Sequence, residues 1–217
     1  GLSSSSYGPD EAFRTLGQHT YLAVGLALLT ALTVLIISSA YRHVIEDFPH
    51  GGGGYVVATK LLGERFGVIS GAALLVDYVL TIAVSLASAS DAIFSFLPAP
   101  WLKWKLAVAV VLVLALTILN IRGVKETVTV MLPIFVVFLL THAVALAGGI
   151  AGRAGELPAT AQAVGSGFSE GLRTLGVGGL FLLFLHAYSM GGGTYTGIEA
   201  VSNGVPIMRE PRVKTGK

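Results

Sequence analysis

The feature that most constrains this chain is a series of apolar runs, each long enough to cross a bilayer. A hydrocarbon core about 30 Å thick needs roughly 20 consecutive apolar residues in a helix. Such runs recur at 21–44, 66–96, 106–121 (short but uninterrupted), 127–151 and 175–206. Composition closes the alternatives: 53% of the residues are hydrophobic and 12% charged, against about 25% charged in an ordinary soluble domain. A soluble globule of 217 residues could not hide that much apolar side chain without large sticky patches. A cytosolic enzyme, a nucleic-acid module and a disordered tail are excluded. The expectation is an all-α, multi-pass integral membrane protein whose first partner is the lipid bilayer.

Other chemistries drop out by inventory. There is no Cys, so neither a disulfide framework nor a thiolate metal site can form. The five histidines lie far apart with no H-x-x-x-H pair on one helical face, which argues against a metal centre. A net charge of +2 is too small for a polyanion binder, so no nucleic-acid partner is expected. No nucleophile–base pair or metal constellation stands out, so no enzyme and no cofactor are expected. Residues 1–17 are polar, glycine-bearing and too short to span. They suggest the second half of a helix, giving a fragment with one partial span and five full ones in a single transmembrane domain.

Orientation follows from basic residues in short loops. The side reached after 21–44 receives Arg42, Lys60, Arg65, Arg122, Lys125, Arg209, Arg212, Lys214 and Lys217, nine in all. The other receives Arg14, Lys103, Lys105, Arg153 and Arg173, five in all. The bias puts the first side in the cytoplasm, with Trp101 and Trp104 as an interfacial anchor outside.

Polar residues inside the apolar runs mark the candidate site. At about 100° per residue, Asp77, Thr81, Ser85, Ser88, Asp91 and Ser95 share one helical stripe. Hydroxyls and alanines could serve close helix packing, but Asp77 at mid-helix costs roughly 2.5–3.5 kcal/mol and points to function. Asp91 and Ser95 are expected near the outer surface. The last run carries Gly191, Gly192 and Gly193 ahead of Thr194, Thr196 and Glu199. Three glycines are poor helix, and a broken helix frees backbone groups that survive only beside protein or a hydrophilic cavity. A hinge or a close helix crossing is the bland alternative. His186 is expected to be a satisfied packing residue.

The N-terminal segment, with four serines and Gly8-Pro9, suggests a second discontinuity, entering a half-helix whose first turn bears acids. Tyr7-x-x-x-Glu11-Ala12 and Tyr195-x-x-x-Glu199-Ala200 match each other five spans apart. Interrupted segments at corresponding positions of two halves point to the binding site of an inverted-repeat transporter. The run Gly51-Gly-Gly-Gly54 lacks the following Gly-Lys-Ser/Thr of a phosphate loop; it suggests a tight cytoplasmic turn into an interfacial helix at 55–65.

Together these residues resemble the amino acid–polyamine–organocation (APC) transporter superfamily. Pro49-x-Gly-Gly-Gly-Gly-Tyr55 is similar to its loop after the second helix, and Asn120-x-Arg-Gly to its Asn-x-x-Gly turn. With Ser-Ser-Tyr7-Gly8, Leu75-Val-Asp77-Tyr78-x-Leu-Thr81-x-Ala-Val-Ser85 and Thr196-Gly-x-Glu199-Ala-x-Ser-Asn203, the chain most resembles the KimA-type potassium transporters of bacteria. The resemblance implies a LeuT-like fold with broken first and sixth helices in a bacterial cytoplasmic membrane. It implies potassium uptake coupled to protons, with Tyr7, Thr81, Ser85 and Thr196 supplying oxygens and Asp77 and Glu199 handling charge or protons. It also implies a second repeat and a C-terminal region absent from this chain. An amino-acid permease on the same scaffold is the competing reading, and a homodimer is left open.

Overall fold

The computed structural model describes residues 2–217, and side chains for all of these except residues 2, 3, 124 and 125. Every regular element among the described residues is helical: α1 (Leu2–Leu16), α2 (Ala23–Asp47), α3 (Gly53–Leu62), α4 (Glu64–Ser95), α5 (Lys105–Arg122), α6 (Val124–Arg153), α7 (Leu157–Met190), α8 (Ile198–Asn203) and α9 (Arg212–Gly216). Short 3-10 turns join several of them.

Among the described residues, four stretches are long and apolar enough to cross a membrane, where five full spans are expected: Thr20–Asp47, Glu64–Ser95, Ala99–Arg122 and Glu126–Asn203. The last holds 78 residues, far beyond one crossing, and contains both of the runs that the sequence separates at 151 and 175. Two features divide it. One is the 3-10 turn Ala154–Glu156; the other is Gly176, whose φ of 67° and ψ of 174° interrupt α7. The kink falls beside the expected start of the final run. Before it, Gln162, Ser166, Ser169, Glu170 and Arg173 make α7 too polar for hydrocarbon.

The chain forms two units, one of Ser3–Ala83 with Gly171–Lys217 and one of Val84–Glu170. The first is built around Ala12, Leu16, Leu22, Leu26, Leu180 and Ala187, so that α1, α2 and α7 share one apolar core with Phe184 and Tyr188 against it. Thr33 and Tyr188 join their hydroxyls at 2.7 Å, tying α2 to α7. At the other end of α2, Glu46 pairs with Lys217.

The second unit is a simpler object. Gly123, at φ 139° and ψ 164°, turns the chain between α5 and α6, and the Thr127 hydroxyl donates to the Gly123 carbonyl at 2.9 Å. Asp91 and Lys105 form an exposed ion pair, in keeping with a place for Asp91 near a membrane surface. Leu106, Val110, Leu114 and Ile118 all stand exposed on α5, an apolar flank suited to lipid.

The structure corrects the reading of the N-terminal segment. No break or acidic first turn opens there: α1 runs from Leu2 to Leu16 with Pro9 inside it and no acid in its first turn. Proline in a helix interior costs about 3 kcal/mol. The compensation is packing, because Ser4, Gly8, Ala12 and Leu16, spaced four apart on one face, are all buried. Local propensity loses to tertiary contact. His186 is exposed and has no hydrogen-bond partner among the described residues, against the expectation of a satisfied packing residue.

Candidate functional site

The last apolar run does break, and the break opens where the glycines stand. α7 ends at Met190, and Gly191–Tyr195 continues as a 3-10 turn. Thr196 is then extended (φ −65°, ψ 141°) and Gly197 left-handed (φ 93°) before α8 begins. The interruption therefore opens at residues 191–193 and runs on through Thr196-Gly197. From Gly191 on the i→i−4 ladder gives way to 3-10 geometry, closed by a bond from the Thr196 N–H to the Gly193 carbonyl at 3.2 Å.

Gly191 and Gly193 act as a contact surface for α1, while Gly192 faces Tyr195. A Cβ on Gly193 would lie 2.7 Å from Cε2 of the Tyr7 ring, and one on Gly191 would lie 2.9 Å from Ala12 Cβ. From the other side, a Cβ on Gly8 would come within 2.7 Å of the Thr194 backbone nitrogen. Two backbones meet here with no room for side chains between them.

That close approach brings hydroxyls together. Thr196 Oγ1 donates to the Gly193 carbonyl at 2.7 Å and lies 3.1 Å from Ser4 Oγ. Ser4 Oγ lies 3.4 Å from the Tyr7 hydroxyl. Ser4 is fully buried and Tyr7 nearly so. Of the expected oxygen donors, Tyr7 and Thr196 thus meet across a sequence separation of nearly the whole chain. The residue that joins them, Ser4, was not among those expected. Its signal was present: it stands one helical turn before both Tyr7 and Gly8 on the small-residue face of α1.

Glu199 sits just after the break, and both carboxylate oxygens accept the Gly197 N–H, at 3.1 and 3.0 Å. This caps the first turn of α8, where negative charge is favoured. Ser202 Oγ donates to the Glu199 carbonyl at 2.8 Å, and Asn203 Nδ2 donates to the Tyr78 hydroxyl at 3.0 Å. The last bond links α8 to α4 beside Asp77; neither of its residues was expected from sequence.

Thr81 and Asp77 themselves remain apart from the cluster. Both are half-buried on α4, and neither has a hydrogen-bond or ion-pair partner among the described residues. Ser85 follows one turn after Thr81 and belongs to the second unit. Beside the hydroxyl cluster a cleft of about 620 Å³ opens between α1, α2 and the 3-10 turn, lined by apolar side chains such as Phe13, Leu26 and Val34, with the hydroxyls of Thr30 and Thr194.

A buried set of oxygens at a break in an otherwise apolar helix is the equipment of a membrane transporter, where backbone and hydroxyl groups replace a solute's hydration shell. Among the described residues no group of His, Asp or Glu is placed to hold a metal ion. The comparisons agree on the class. The amino acid permease family signature matches residues 9–214, and the chain belongs to that family, within the APC superfamily. It is therefore a multi-pass membrane protein of a transporter family and not an enzyme. The chain is 35% identical over 214 residues, 97% of its length, to the Potassium transporter KimA of Bacillus subtilis (strain 168), and it spans 34% of that protein.

Proposed function

We propose that this chain carries part of a secondary active transporter that takes up potassium through the cytoplasmic membrane of a bacterium, coupled to protons. The observation that carries the reading is the convergence of Tyr7, Ser4 and Thr196 at the helix break, beside the Gly193 carbonyl. A hard monovalent cation prefers oxygen ligands, and this set offers oxygens only. Thr81 contributes a further hydroxyl from α4, while Asp77 and Glu199 serve charge compensation or the coupled proton. The 35% identity to a potassium transporter supports the same substrate.

Two observations favour an amino-acid permease instead. The family signature bears that description, and the apolar cleft of about 620 Å³ could take an amino-acid side chain. Rescue of a potassium-uptake-deficient bacterium by the full-length protein in potassium-limited medium, with amino-acid uptake measured alongside, separates the two. Rescue without amino-acid uptake is expected. Amino-acid uptake without rescue sends the assignment to the permease.

A further inference from the structure

Another cavity, of about 340 Å³, opens at the turn between α5 and α6 and is lined by Leu119, Arg122, Glu126, Thr129 and Val130. All five belong to the second unit. The turn itself is held in place: the Thr127 hydroxyl reaches back to the carbonyls of Gly123, at 2.9 Å, and Leu119, at 3.2 Å. Glu126 folds over Gly123, where a Cβ would stand 2.7 Å from Glu126 Oε2. The bare glycine leaves the carboxylate its room. Neither Arg122 nor Glu126 has an ion-pair or hydrogen-bond partner among the described residues.

Two unpaired charges of opposite sign around one small cavity need an explanation, and their depth supplies it. Arg122 closes the stretch Ala99–Arg122 and Glu126 opens the stretch Glu126–Asn203, both apolar enough to cross a membrane. The two charges therefore stand where hydrocarbon gives way to head groups. On the hydrocarbon side the flanks stay apolar and open, with Leu114 and Ile118 on α5 and Val130, Ile134 and Val137 on α6 all exposed.

We infer that this cavity holds the head group of a zwitterionic phospholipid, phosphatidylethanolamine, with its acyl chains along α5 and α6. The Arg122 guanidinium presents a fork of N–H donors that suits a phosphodiester. The Glu126 carboxylate accepts an N–H of the primary ammonium. Phosphatidylcholine offers the same phosphate but no N–H on its nitrogen, so it satisfies Arg122 and not Glu126. Phosphatidylglycerol brings a net negative charge toward the carboxylate. A free zwitterion lacks the chains that would cover the apolar flanks. The inference does not depend on which solute the protein carries.

The test uses delipidated full-length protein in detergent, with native mass spectrometry reading its affinity for these three lipids with identical acyl chains. Wild type is expected to bind phosphatidylethanolamine at least about fivefold more tightly than either of the others. Glu126→Ala should erase the preference over phosphatidylcholine, while Arg122→Ala should weaken both of those lipids by a similar factor. Both side chains are exposed, so both variants are expected to fold, which thermal unfolding in detergent checks. Equal affinities in wild type, the result if another part of the longer protein fills the cavity, overturn the inference, and so does tighter binding of phosphatidylglycerol. A preference that survives Glu126→Ala overturns it too. Should that variant not fold, Arg122→Ala decides: unchanged affinities overturn the inference and a shared loss supports it. Displacement of the lipid by glycerophosphoethanolamine, which carries the head group without chains, overturns the lipid as occupant in favour of a free zwitterion.

Discussion

Two glycine runs in this chain look alike in sequence and do opposite things. Gly51, Gly52 and Gly53 all have positive φ, at 82°, 100° and 47°; the chain needs glycine there to turn back after α2. Gly191, Gly192 and Gly193 have none and lie in a 3-10 turn whose bareness lets α1 press against it. The first run is chosen for backbone freedom and the second for the missing Cβ. A glycine run alone announces the end of a helix but not which of these two uses it serves.

Substitutions at three glycines sharpen that contrast. The largest effect is expected from Gly8→Ala, on the α1 face of the same contact. The new Cβ would lie 2.7 Å from the Thr194 backbone nitrogen, and backbone cannot swing aside as a side chain can. Overpacking of this kind costs about 1–3 kcal/mol, and because it pushes Ser4 and Tyr7 from Thr196, solute uptake should fall at least tenfold. Uptake in vesicles and the unfolding midpoint in detergent measure both; wild-type values for both would refute the close contact.

Gly53→Ala should come next. A left-handed alanine costs roughly 1–2 kcal/mol, and its Cβ would meet Asn203 Oδ1 at 2.7 Å and Ser202 Oγ at 2.8 Å. Those are side-chain ends that can yield, so the penalty is mainly backbone strain. A lower unfolding midpoint with an unchanged half-saturating concentration is the expected pattern; a shifted half-saturation with the midpoint intact would assign this loop to the solute site instead. Gly148→Ala completes the series. Inside α6, with nothing within 4 Å of its Cβ, it should leave uptake alone and stabilise the helix by up to about 1 kcal/mol. A loss of uptake there would mean that α6 has a close partner.

The apolar runs were legible because lipid leaves a chain so few choices. A run such as 21–44 has to satisfy its own backbone, and the helical stretch Thr20–Asp47 covers it and more. The family was legible too, since short motifs such as Pro49-x-Gly-Gly-Gly-Gly-Tyr55 keep their order along nearly the whole chain. The site was legible only in part. Tyr7 and Thr196 announced themselves as oxygen donors beside irregular sequence. The glycine triplet announced the end of the α-helix at Met190, but the extension of the break through Thr196-Gly197 was not legible. The continuity of α1 was also hidden. Gly8-Pro9 looks like a stop when only its neighbours are considered, and the residues that override it, Gly191 and Thr194, lie far away in the chain. Ser4 was one serine among four until the fold buried it.

One consequence follows from the contact between Thr196 Oγ1 and the Gly193 carbonyl. Protons hop along hydroxyls only where each oxygen can take one from behind and pass one ahead. A peptide carbonyl takes the hydrogen bond but has no proton of its own to pass on. The row of hydroxyls from Tyr7 to Thr196 is therefore a blind alley for protons. Under the potassium reading proposed above, a cation resting on it would not short-circuit the proton gradient, and the coupled proton would travel by a separate carboxylate route.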